Sequence, residues 1–148
     1  MFMMYVLLLD QELSDAHIST LLGSLFGIEP QEVDTILTEG LRQVNFATRS
    51  LERTPFPRQG EEFTVFFLEL CVFPHGIQMQ SKYENEQAFA RAFSKESHLP
   101  ILLNDERSPY SWLLLDTGVD YEVTECPEDE EVVAITLTAE NKLRLPSH

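Results

Sequence analysis

The sequence predicts an α+β domain, a mixed or mainly antiparallel sheet of about six strands with three helices. Three observations carry this. Two stretches, beginning at Ser14 and Asn85, place apolar residues at helical spacing behind good N-caps. Several others alternate at the period of a strand or run continuously apolar. The two kinds follow one another irregularly, with a hairpin near the end, instead of in a regular β-α-β alternation.

Taken in order, residues 2–9 form a short apolar run that ends at Asp10, as a buried first strand would. Ser14 then caps a helix, with Leu13 and Ile18 placed as a hydrophobic staple. Ile18, Leu21, Leu22, Leu25 and Phe26 share one face of it, and Gly27 supplies the stop. Pro30 is placed to open a second helix with Val33, Ile36 and Leu37 as its buried stripe and Gly40 at its end. Residues 42–50 alternate, with Val44, Phe46 and Thr48 on one side and Asn45, Ala47 and Arg49 on the other.

A Pro/Gly-containing loop over 55–60 leads to the most apolar strand, 62–73. It sets Phe66, Leu68, Leu70 and Val72 against Phe63, Val65, Phe67, Cys71 and Phe73, and both faces want cover, which predicts a central position. Pro74-His75-Gly76 reads as a turn. Asn85 caps a third helix that turns Phe89, Ala92 and Phe93 inward and ends near His98. Strands follow at 100–103, 110–116 and 119–125, the last two joined across Thr117-Gly118, and another at 132–137. Residues 1–137 thus make one domain, and the polar stretch 138–148 a tail free to fray.

Charge narrows the function. Twenty-five acidic against ten basic residues give −15. Such a field repels phosphate backbones and anionic lipids and draws cations, so a basic protein or a metal ion fits as partner where nucleic acid and membrane do not. The N-terminal run lacks the basic lead and cleavage site of a signal peptide, and no stretch reaches the ~20 apolar residues of a membrane span. With only Cys71 and Cys126, reduced thiols and a cytoplasmic location are expected.

Residues 18–37 have the spacing of a helix-turn-helix, but the second helix would carry Glu29, Glu32, Asp34 and Glu39, and no Lys or Arg precedes Arg42. DNA binding depends on cations that displace counterions, so the segment reads as an ordinary two-helix corner. Cys71 lies among apolar neighbours that would raise its thiol pKa, which makes it structural and not a nucleophile paired with His75. His17, His75, His98 and His148 lack metal-ligand spacing. No catalytic set, metal site or cofactor motif is expected, and the chain reads as a binding protein and not an enzyme.

Glu69 interrupts an apolar strand face and must be paired, partly solvated or protonated there. Two readings stand: an ion pair with a residue such as Arg49, or a carboxylate in a binding cleft of a small ligand-binding domain or enzyme. The run Glu125-Cys126-Pro127-Glu128-Asp129-Glu130-Glu131 is either a solvated loop or a docking surface for a basic partner; it lacks the pattern of a calcium-binding EF-hand. Asp105 and Glu106 begin a polar loop that feeds Tyr110 and Trp112, which serve either as core or as interface anchors.

The stretch Leu99-Pro100-Ile101-Leu102-Leu103-Asn104-Asp105-Glu106, with Pro109-Tyr110-Ser111-Trp112-Leu113-Leu114-Leu115, resembles small acidic bacterial proteins of unassigned function and some immunity proteins of polymorphic toxin systems, over roughly residues 85–125. The resemblance implies a protein that inhibits a toxin, often a basic nuclease, by covering its active site. It brings no catalytic residues with it. On this reading Asp105, Glu106, Glu125, Glu128, Asp129, Glu130 and Glu131 would meet a basic site, with Tyr110 or Trp112 as anchors. A structural or adaptor subunit using an exposed sheet edge is a further alternative.

Overall fold

A computed structural model describes residues 3–36, 42–51, 64–104, 111–116, 119–124, 135–137 and 142–144. Strand β1 (Tyr5–Leu9) leads into helix α1 (Asp15–Phe26), a single 3-10 turn (Pro30–Glu32) and strands β2 (Val33–Thr35) and β3 (Val44–Ser50). Next come β4 (Thr64–Phe66), β5 (Leu68–Pro74), and helices α2 (Gly76–Gln80) and α3 (Glu86–Ser97). The last five strands are β6 (Ile101–Asn104), β7 (Ser111–Asp116), β8 (Val119–Thr124), β9 (Ile135–Leu137) and β10 (Lys142–Arg144).

The main sheet has the order β10-β8-β7-β6-β1-β5-β3-β2. All its pairings are antiparallel except β2 with β3, so it is a mixed, mainly antiparallel sheet, in keeping with the α+β reading. Six strands have four or more residues, and a three-residue strand is added at each edge. One of these edges, β10, comes from the stretch 138–148 that sequence alone sets apart as a tail. Strands β4 and β9 form a separate two-stranded ribbon.

Alternation along β1 divides the core. Tyr5, Leu7 and Leu9 face the helices and pack with Ile18, Leu22 and Phe26 of α1 and Phe89 and Phe93 of α3. Leu8 points the other way and joins Leu102, Leu114, Leu51 and Phe66 in a second cluster. Phe89 is the hub of the larger core: Tyr5 stacks on it at 4.6 Å, and Phe26, Tyr83 and Phe93 surround it at 5.4–6.2 Å between ring centroids.

Both capped helices form where expected. The Ser14 side chain accepts from the His17 N–H and that of Asn85 from the Ala88 N–H. Gly27, at φ 68°, closes α1: its N–H bonds to Ser24 O and the Ile28 N–H to Gly23 O, the double bond of a Schellman cap.

The second helix does not form, and with it goes the two-helix corner. After the 3-10 turn, Val33, Thr35 and Ile36 are β-branched and favour extended backbone, and the edge of β3 offers unpaired amides and carbonyls. The chain pairs there in parallel register, Val33 beside Val44 and Thr35 beside Phe46. Val33 is buried while Ile36 is 53% exposed, so the expected stripe is absent; Leu37 and Gly40 lie outside the described residues. Buried Asn45 locks this edge, donating to the carbonyls of Asp34 and Thr35 and accepting from the Arg42 N–H.

The strand expected over 62–73 is broken at Phe67. The Phe67 N–H donates to Leu9 O and its carbonyl accepts from the Leu51 N–H, which turns the chain so that β4 leaves to pair with β9. Phe66 therefore enters the second cluster, opposite the face of Leu68, Leu70 and Val72 that alternation assigned to it. The central position of β5, between β1 and β3, is as predicted. The expected turn at Pro74-His75-Gly76 opens α2, and β7 pairs with β8 from Asp116–Val119 onward, as a hairpin requires.

Candidate functional site

Glu69 sits where strand register puts it, with Arg49 opposite on β3 and Leu8 opposite on β1. One Arg49 nitrogen, Nη2, lies 3.1 Å from both carboxylate oxygens. The Arg49 side chain is 59% exposed and that of Glu69 20%, so this is a solvent-screened pair of the kind worth about 0–1 kcal/mol. The ion-pair reading of Glu69 is the geometry found.

Cys71, two residues on, donates its thiol toward Glu69 Oε1 at 3.8 Å. Burial, and next the negative charge of Glu69, push the thiol up to about 11. A thiol held protonated near neutrality is a poor nucleophile, in accord with a structural role.

Trp112 is half-buried against the second cluster, beside buried Leu114. Asp105, Glu106, Tyr110, Glu125, Glu128, Asp129, Glu130 and Glu131 lie outside the described residues. Among the described residues no group of three or more His, Cys, Asp or Glu is placed to hold a metal ion, and no helix is long and apolar enough to cross a membrane.

A cavity opens elsewhere, beside the first half of β1. Strand β6 pairs with Leu8 and Leu9, and no described pairing reaches Tyr5 and Val6 on that side. Glu86, the first residue of α3, covers part of that side by accepting the Val6 N–H at 3.0 Å. What remains is a cavity of about 520 Å³ between Met3, Met4 and Tyr5 on one wall and the connector from Gln80 to Glu86 on the other. Lys82 belongs to that connector but not to the lining, and its amine lies near Gly27 at the end of α1. The lining holds two carboxylates, Glu84 and Glu86, and no cation.

Tyr5 borders this cavity. It is 3% exposed, and its hydroxyl is buried with no hydrogen-bond partner among the described residues. Burial, and then the Glu86 charge, raise its pKa. Tyr83, which also lines the cavity, spends its hydroxyl on Leu25 O, and burial followed by the nearby Tyr5 raises its pKa too. Sequence reading absorbed Tyr5 into an apolar first strand and left the connector 81–84 unread. The one signal available was a tyrosine at a position where an all-apolar strand needs none.

No protein-family model matches this chain, and neither a curated protein nor a solved structure matches it at a significant level.

Proposed function

We propose that the protein works by binding a cationic protein partner, and specifically that it is an immunity or inhibitor protein covering the active site of a basic toxin or enzyme. The observation that carries this reading is the uncompensated charge of −15 on 148 residues. A field of that size speeds encounter with a basic surface and disfavours anionic partners. The cavity adds local support, because its charged lining is entirely acidic. Glu69, neutralised by Arg49, has no part in this role, and neither does the protonated thiol of Cys71.

The test is capture of a partner from co-expression with the adjacent gene product at low salt, followed by elution with rising salt. The expected result is a stoichiometric basic protein that is inactive while bound and released by salt. Reversing the charges of Glu128, Asp129, Glu130 and Glu131 to lysine is expected to slow association at least tenfold while altering dissociation little. An unchanged association rate would remove the acidic run from the mechanism, and no partner at low salt would overturn the reading.

A further inference from the structure

We propose that β2 is a strap latched to the sheet edge by one side chain, Asn45, and that it opens and closes as a unit while the rest of the sheet stays paired. This goes beyond the binding reading and does not depend on it.

The argument begins with how little of the core the strap carries. Strand β2 meets β3 over three residue pairs, Val33 to Thr35 beside Val44 to Phe46, whereas β3 meets β5 over seven. Releasing β2 leaves that longer ladder whole. Val33 is buried, Asp34 and Thr35 are half-buried, and Ile36 just beyond them is 53% exposed. Opening therefore uncovers mainly the Val33 side chain. Segments with few buried contacts and with bonds near solvent open locally far more often than a core unfolds. The local sequence also pulls away from the strand, since Pro30 and the spacing of Val33 and Ile36 suit a helix.

The Asn45 amide holds this segment in place. Asn45 is 3% exposed. Its Nδ2 donates to the carbonyls of Asp34 and Thr35, each at 3.2 Å. Its Oδ1 accepts from the Arg42 N–H at 3.2 Å and faces His75 Nε2 at 3.0 Å. The donors and the acceptor of the amide are thus fully used. Two carbonyls fix which end of the amide is nitrogen, so Oδ1 is the acceptor and His75 Nε2 must carry the hydrogen. His75 also donates its backbone N–H to Gln43 O. One amide thus ties β2, through the start of β3, to the residue that follows β5. The imidazole is a positioning group that keeps the amide turned toward the strap. The contact of Arg42 with Asp34, at 4.0 Å and largely solvated, adds little. Main-chain bonds from the Ile36 N–H to Phe46 O and from the Gln43 N–H to Glu32 O close the strap at its two ends, and these amides report its opening.

The experiment is native-state hydrogen exchange by NMR on the ¹⁵N-labelled full chain, without urea and at low urea. Ile36 and Gln43 are expected to exchange through one common opening, with roughly a hundredfold less protection than Leu68, Leu70 and Val72 of β5 and little dependence on urea. Asn45→Asp places an oxygen where Nδ2 meets the two carbonyls, at almost unchanged size and with the other oxygen still facing His75. It is expected to lower protection at Ile36 and Gln43 by about a further tenfold and to leave the β5 amides as they were. His75→Ala is expected to act in the same direction, and His75→Gln, which returns an N–H donor, to recover part of the loss. In the unaltered protein, long-range ¹H–¹⁵N correlation is expected to find the His75 hydrogen on Nε2.

Exchange of Ile36 and Gln43 with the same protection and urea dependence as β5 would overturn the proposal. So would an Asn45→Asp protein in which the strap is unaltered, or in which the β5 amides lose protection in step with it. A neutral His75 carrying its hydrogen on Nδ1 would remove the latch even where Asn45→Asp fails to fold.

Discussion

At the scale of single residues, Tyr5 and Cys71 carry groups whose chemistry runs against their surroundings. The Tyr5 hydroxyl is desolvated without compensation. A buried polar group left unpaired costs about 1–3 kcal/mol, and its deletion leaves the ring packing on Phe89 in place. Tyr5→Phe is therefore expected to stabilise the free protein by about 1 kcal/mol, read as a higher urea midpoint at unchanged slope. A loss of stability would mean that the hydroxyl already has a partner. Cys71 gives a pH prediction. Its thiol titrates at about 11 in the fold against 9.0 when unperturbed, so the unfolded chain loses this proton first. Between those values the native state holds more protons, and stability must fall as pH rises. In a Cys126→Ser background, alkylation of Cys71 by iodoacetamide is expected to stay slow at pH 8 and to accelerate toward pH 11. Rapid alkylation at pH 8 would contradict the raised pKa of this half-buried thiol. The upward push on the thiol was legible in the sequence from its apolar neighbours. The cavity beside β1 was not, because it depends on where the α2–α3 connector packs against the start of the strand, a long-range contact with no local signature.

At the scale of elements, what could be read locally was read well, and what depended on a distant partner was not. Helix α1 carries its cap, its apolar face and its stop within 14 consecutive residues, from Ser14 to Gly27. Helix α3 is similar, and both appear as expected. The segment after Pro30 has equally good local signals for a helix, but the waiting edge of β3 outweighs them. The break at Phe67 has the same character, since the bonds that impose it come from Leu9 and Leu51. Gly23 shows how such long-range demands reach into a helix. Glycine there sacrifices about 1 kcal/mol of helix propensity relative to alanine. A Cβ at this position would stand 3.0 Å from Ile28 O and 3.4 Å from Pro30 N, where the chain folds back over α1 after the Gly27 cap. These are backbone atoms of a capped turn and cannot yield as a side-chain tip would. Gly23→Ala is expected to destabilise by about 1–3 kcal/mol, the range for overpacking, instead of stabilising as propensity alone requires. Denaturant unfolding decides the sign, and a stabilised variant would show that the turn at 28–30 is free to move.

At the scale of the whole molecule, the same charge that recruits a cationic partner also strains the free protein. With 25 acidic and ten basic residues, the folded chain concentrates repulsion that the expanded chain relieves. Ion pairs among the described residues include Arg49 with Glu69 and, at 4.0 Å, Arg42 with Asp34, all at least partly exposed. Raising ionic strength from 0.01 to 0.15 M shortens the screening length from about 30 Å to about 8 Å. Repulsion between carboxylates spread over a domain of this size is then largely removed, while packing around Phe89 is untouched. The thermal midpoint of the free protein is therefore expected to rise by several degrees over this range, as ~1 kcal/mol would produce in a domain of this length. Over the same range the on-rate for a basic partner is expected to fall steeply, because the field that steers it is the field being screened. The two trends have opposite signs and one cause, and together they separate this reading from a generic response to salt. A midpoint that did not move would mean that the acidic charges are compensated in the fold. A salt-insensitive on-rate would mean that the partner is recognised by shape and apolar contact, with charge as a bystander.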